Sequence, residues 1–377
     1  QCEQARKFVN TVEIFNTFLN KFTGAPIGTY GGVPRILAEN PYLPGFLRAK
    51  LFEYSVEHCC RVIKGHTDWI TFLSWNPRGT ILASAGLDKT IRLWTHDGIL
   101  IKALEGHSAC AHSLSWNPQG TILASAGFDG IIRLWQPDGT PIKVLTEHTS
   151  WILSISWNHD GTILASSGYD GTIRLWSPDG TPIKVIEGHG VCISSISWNP
   201  QVTILASAEN DSKIRLWAPD GTLIKVIEGH TDSIASLSWN PRGTILASAG
   251  YDKTIRLWTT DGTLIKVLTE HTSWILSISW NHDGTILASS GYDGTIRLWS
   301  PDGTPIKVIE GHGVCISSIS WNPRRTILAS AGKDNAIRLW GKSFPPVASL
   351  EDLFMALKKL LVPDSEGAAA GAAAEVR

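Results

Sequence analysis

The chain has 377 residues, 18% of them charged, with a formal net charge of −1. No excess of either sign points to a nucleic acid or an anionic membrane as partner. No apolar run reaches the length of a membrane-spanning helix, and the 35 glycines suit short strands joined by tight turns.

The chain opens on Gln1, its only methionine is Met355, and no secretory segment leads it, so a piece of a longer or processed product is expected. Residues 1–57 read as a helical flank. Phe8, Val12, Phe15, Leu19 and Phe22 fall on one helical stripe stopped by Gly24 and Pro26, and a second helical piece is expected over 44–57.

From about residue 54 a unit of 41 residues recurs seven times without an insertion. Four sets of side chains keep that interval. They are the histidines His66, His107, His148, His189, His230, His271 and His312; the serines Ser84, Ser125, Ser166, Ser207, Ser248, Ser289 and Ser330; the aspartates Asp88, Asp129, Asp170, Asp211, Asp252, Asp293 and Asp334; and the tryptophans Trp94, Trp135, Trp176, Trp217, Trp258, Trp299 and Trp340. In residues 178–217 the runs TPIKVIE, CISSISW, TILASA and KIRLW are rich in β-branched residues and bounded by Gly, Pro, Asn and Asp, so they read as strands of one antiparallel sheet. One such sheet cannot cover its own faces, whereas seven packed radially can.

The Gly-His pair, the Asp 22 residues after its His and the Trp six residues beyond resemble the WD-repeat β-propellers, in register seven times over about three quarters of the chain. Two departures stand out. The residue after the last Trp is never Asp, and Glu147 and Glu270 replace the Gly before His in two repeats. The resemblance implies an all-β fold: a seven-bladed propeller of four-stranded antiparallel blades over 58–340, with short helical N- and C-terminal flanks. It also implies that strand 58–64 completes the last blade beside 336–340. The recurring Ser, His and Asp suggest a nucleophile triad, but the resemblance makes them, with the Trp, a buried structural tetrad. No catalytic residue is expected. A second tryptophan set, Trp75 to Trp321 at the same interval, is expected to pack between blades.

Side chains that break the pattern carry the individuality of the ring. Three residues after the His the series runs Trp69, Cys110, Trp151, Cys192, Ser233, Trp274, Cys315, and just before the Asp it runs Leu87, Phe128, Tyr169, Asn210, Tyr251, Tyr292, Lys333. The resemblance puts both on one rim, so Trp69, Leu87, Phe128, Trp151, Tyr169, Tyr251, Trp274, Tyr292 and Lys333 form the candidate partner-binding surface. Residues 142–200 and 265–323 are identical over 59 positions, three repeats apart.

After the ring a helix is expected over 341–362 and an Ala/Gly-rich, poorly ordered tail over 363–377. Six scattered cysteines show no disulfide framework or metal spacing, which favours a reducing, cytoplasmic setting without metal or cofactor. The function expected is a non-catalytic scaffold for a protein or peptide. The alternatives are a sensor or regulatory C-terminal domain of a larger signalling NTPase, whose near-identical repeats these resemble, and a non-catalytic subunit of an enzyme complex. Neither a membrane nor a nucleic acid is expected as partner.

Overall fold

The computed structural model describes residues 59–187, 192–201 and 204–341. The flank expected over 1–57 lies outside them, as do the helix and tail expected after the ring, Gly341 apart.

Within these residues the chain forms seven four-stranded antiparallel sheets. Blade 1 runs Ile70–Trp75, Ile81–Gly86, Ile91–Thr95 and Leu100–Leu104, innermost strand first. Blades 2 to 6 repeat this order, and blade 7 takes its outer strand, Cys59–Lys64, from the other end of the ring. That strand pairs antiparallel with Ala336–Trp340, Lys64 opposite Ala336 and Cys59 opposite Trp340. An edge that would otherwise stand open is thereby paired.

One detail differs from the sequence reading. The run TPIKVIE does not share a sheet with CISSISW, because Pro182–Ile186 is the outer strand of blade 3 while Ile193–Trp198 is the innermost strand of blade 4. The sequence unit and the blade are out of phase by one strand, and this offset is what lets the first strand close the ring.

The core lies between blades. Blade 1 contributes Ala83, Ala85, Ile91, Leu93 and Leu104 to a cluster completed by Ala111, Leu114, Trp116, Leu123 and Trp135 of blade 2. Small alanines on one sheet make room for two tryptophans on the next, and the same arrangement joins blade 2 to blade 3. Polar staples reinforce the seams. The hydroxyls of Ser113, Ser154, Ser195, Ser236, Ser277 and Ser318 each accept the backbone N–H of Ile155, Ile196, Leu237, Ile278, Ile319 or Leu73 in the next blade, at 3.0–3.2 Å. Blade 1 has Phe72 at that place, and there the Thr71 hydroxyl donates instead to Ala111 O of blade 2 at 2.7 Å.

Two bottom turns break the symmetry. In blade 1 Asn76 folds back on its own turn through Thr80, and Gly79 sits at φ 65°. Blades 4 and 7 carry Val202 and Arg325 in place of that glycine, and side chains rarely adopt such a φ. There the Asn199 and Asn322 amides reach across the seam to Gly243 O and Gly79 O, at 2.8 and 2.9 Å.

Candidate functional site

The repeated tetrad is built where the loop before each innermost strand meets the turn between the second and third strands. In blade 1 His66 Nδ1 is 2.8 Å from Asp88 Oδ2, His66 Nε2 is 2.7 Å from Ser84 Oγ, and the Trp94 indole donates to Ser84 Oγ at 2.8 Å. Ionised Asp88 can only accept, so Nδ1 carries the proton, Nε2 accepts the serine O–H, and the serine oxygen accepts the indole N–H. Every polar atom of the chain from carboxylate to indole is thereby satisfied.

The same connections occur through His107, His148, His230, His271 and His312, with Nε2 to serine distances of 2.7–2.9 Å. Each aspartate in blades 2, 3, 5 and 6 meets its histidine at 2.6–2.8 Å. In blade 7 Asp334 is shared between His312, at 3.0 Å, and Arg338.

The Asp88 carboxyl also accepts the Thr67 N–H at 3.1 Å, so one side chain ties loop to turn. Burial would raise its pKa. The hydrogen bond and charge attraction of His66, with the Thr90 and Thr67 donors, outweigh burial and hold it well below the usual carboxylate range. Asp129, Asp170, Asp252 and Asp293 are lowered by the same balance, and Asp334 falls to about 2 with Arg338 assisting.

Blade 4 departs from this design. Elsewhere the second strand ends in glycine because the start of the blade's own innermost strand leaves no room: a Cβ on Gly127 would lie 2.1 Å from Cys110 O. Blade 4 has Glu209 there, fully buried and ion-paired with Arg215, which also holds Asp211 at 3.1 Å. Trp217 still donates to Ser207 at 2.9 Å. His189 lies outside the described residues.

Ser, His and Asp are thus in the order a nucleophile triad needs, yet they cannot attack a substrate. Every tetrad serine is 0% exposed, and its oxygen already accepts an indole N–H. Substrate has no path to it.

The irregular side chains gather at the end of the ring where the innermost strands begin. They surround a central channel of about 680 Å³ whose lining includes Trp69, Leu87, Phe128, Trp151, Tyr169, Tyr251 and Tyr292. Phe128 stacks on Trp151 at 4.6 Å, and Trp151 meets Tyr169 edge-on at 5.3 Å. Three blades on, Tyr251 stacks on Trp274 at 4.6 Å, and Trp274 meets Tyr292 edge-on at 5.3 Å. Trp69 adds a further edge contact to Tyr292, and His112 stacks beneath Phe128.

Burial, followed by the neighbouring Tyr292, Tyr169 and Asp232, pushes the Tyr251 phenol up. Trp151, Tyr169, Trp274 and Tyr292 are 43–51% exposed, while Trp69, Leu87, Phe128 and Tyr251 are half-buried beneath them. Lys333 stands exposed on blade 7.

Cys110, Cys192 and Cys315 share the sequence series with the rim tryptophans, but they are buried and free. Burial pushes their thiols up to about 12, 11 and 11, far from the thiolate that metals and electrophiles require. Among the described residues no group of His, Cys, Asp and Glu could hold a metal ion.

Sequence reasoning missed two features lining or joining the blades. His112 takes a channel-facing place where other innermost strands have Thr, Leu, Ser or Ala, and burial lowers its imidazole to about 4. The inter-blade serines were periodic from Ser113 onward, a signal that could have been read.

Comparison with known proteins agrees with the geometry. A 36-residue stretch is 56% identical to the Ixodes scapularis protein named "Probable cytosolic iron-sulfur protein assembly protein CIAO1 homolog", covering 10% of this chain and 11% of that one. A 55-residue stretch is 36% identical to protein transport protein SEC13 of Phaeosphaeria nodorum, covering 13% of this chain and 18% of that one. The chain therefore spans less than a fifth of the curated relatives it matches. The family model for the IFT122 first beta-propeller matches residues 47–300, and that for the WD domain, G-beta repeat, matches 303–341. With more than half its length matched and seven four-stranded blades in its ring, the chain belongs to the WD40-repeat β-propeller family.

Proposed function

We propose that this propeller is a non-catalytic scaffold that docks a protein or peptide on the aromatic rim of its channel. One observation carries the reading: four large rings, Trp151, Tyr169, Trp274 and Tyr292, stand 43–51% exposed at the mouth, held by stacking on half-buried neighbours. Rigid aromatic side chains bind with little loss of conformational entropy, which is why Trp and Tyr dominate binding hot spots. The tetrads hold the loops that present them. Variation at two positions per blade, from Trp69 and Leu87 to Lys333, sets the choice of partner.

A cytoplasmic setting fits the three buried free thiols, and no helix of the described residues is long and apolar enough to cross a membrane. The test is a pull-down from native extract with the full chain, with and without Trp151→Ala plus Trp274→Ala. Loss of a specific partner in the double variant supports rim docking. Unchanged recovery of every partner sinks it.

A further inference from the structure

Blade 7 departs from its sisters at the clasp itself. In blades 1, 3, 5 and 6 the hydroxyl of Thr90, Thr172, Thr254 or Thr295 donates to the tetrad aspartate at 2.8–2.9 Å. Ala336 stands at that place in blade 7 and has no hydroxyl to give. Asp334 is accordingly less confined. Its side chain is 20% exposed, against 2–6% for the aspartates of blades 1, 2, 3, 5 and 6. Arg338 bonds to it, and the same Nη1 lies 2.6 Å from His312 Nδ1. No other arginine of that series bonds to its histidine among the described residues; Arg133 donates to Gly106 O and Arg297 to Glu270.

This contact fixes where the proton sits. A guanidinium can only donate, so at 2.6 Å it needs a lone pair on Nδ1. The imidazole proton is then on Nε2, facing Ser330 Oγ at 2.7 Å. That reverses blade 1, where ionised Asp88 requires the proton on Nδ1. The reversal has a cost. Ser330 Oγ meets two donors, His312 Nε2–H and the Trp340 indole, and its own O–H loses the ring nitrogen as acceptor. A proton on Nδ1 and Arg338 against Nδ1 exclude each other, because both place a donor on one lone pair.

The place of this clasp in the ring gives it a consequence. Arg338 lies in Ala336–Trp340, opposite Val62 of the closing strand, in the blade whose strands come from both ends of the ring. We propose that blade 7 is a proton-operated latch: one proton taken up at His312 Nδ1 expels Arg338 and loosens strand 59–64 from 336–340. The charged groups acting on His312 are Asp334, from the turn, and Arg338, from the third strand. Burial holds the imidazole below its ordinary value; Asp334 opposes this, and the Arg338 charge adds to it. A base with a lowered folded pKa is protonated first in the open form. The latch is therefore closed above the ordinary histidine value of about 6.5 and weakens as pH falls below it.

Nitrogen-15 NMR of the histidine rings in the full chain, with hydrogen exchange read as protection factors, tests this. At neutral pH His312 should carry its proton on Nε2, and His66, His107, His148, His230 and His271 on Nδ1. Between pH about 7.5 and about 5.5, either side of the ordinary histidine value, protection of 59–64 and 336–340 should fall several-fold. The matching pair in blade 3, Ile173–Trp176 and Pro182–Ile186, should hold its protection over the same range. Arg338→Gln should move the His312 proton to Nδ1 and remove the pH-dependent loss. Ala336→Thr, which keeps every charge and supplies the missing hydroxyl, should do the same. A parent His312 protonated on Nδ1, an equal loss of protection in blade 3, or unchanged protection in blade 7 overturns the proposal.

Discussion

His148 and Trp151 lie three residues apart on one loop, yet the first is 7% exposed and the second 46%. The histidine is bound on both ring nitrogens and the same bonds recur around the ring. The tryptophan side chain stacks on Phe128 and meets Tyr169 edge-on, and it has its like in two other blades. The comparison separates two jobs in one short segment. Polar groups that must be satisfied out of water repeat in every blade, whereas side chains that meet solvent are free to vary.

The sharpest way to break the comparison is acid, because it acts on six clasps together. The folded pKa values of Asp88, Asp129, Asp170, Asp252, Asp293 and Asp334 lie below the ordinary carboxylate value. A depressed folded pKa gives stability that is present above the unfolded pKa of about 3.9 and is lost as pH falls through the folded value. For Asp334 that window ends near about 2. His312 adds to the loss at milder pH, since burial lowers its pKa despite Asp334 and the unfolded chain takes up the proton first. Circular dichroism against pH should show melting temperature falling most steeply below pH about 4; a flat profile down to pH about 2 would show that the clasps do not stabilise the ring.

A smaller effect is expected from Ser248→Ala, which strands the Trp258 indole and His230 Nε2 that now meet the hydroxyl. The cost should be about 1–3 kcal/mol in urea unfolding, and a cost near zero would mean that water replaces the serine. The least effect on stability, within about 0.5 kcal/mol, belongs to Trp151→Ala, as for exposed positions in general. A large loss from that change would make the rim a structural cover and remove the contrast.

Most of the fold was legible because seven copies average out the ambiguity of any single strand. Ile, Leu and Trp recur at fixed places in IRLW, and the structure buries them at each. The tetrad residues were equally legible, since four residue types kept one interval. What stayed hidden depends on distances between blades. The position series placed Cys110 beside Trp69 and Trp151, but a small thiol fits beneath the rim where an indole must turn outward, so the three cysteines are buried. The Asn322 amide reaching Gly79 joins residues 243 positions apart, and no local pattern announces it. Likewise, Glu209 in a place otherwise reserved for glycine shows in the sequence, but its pairing with Arg215 requires the folded blade.

The closing strand also has a mechanical meaning. Cys59 lies opposite Trp340 in an antiparallel pair, so the polypeptide enters and leaves the ring at the same end of two neighbouring strands. Tension applied through the flanking sequence would peel that pair apart one rung at a time rather than shear all its bonds together. Blade 7 is therefore the ring's tear line, and the other six blades are shielded from the pull until it gives way.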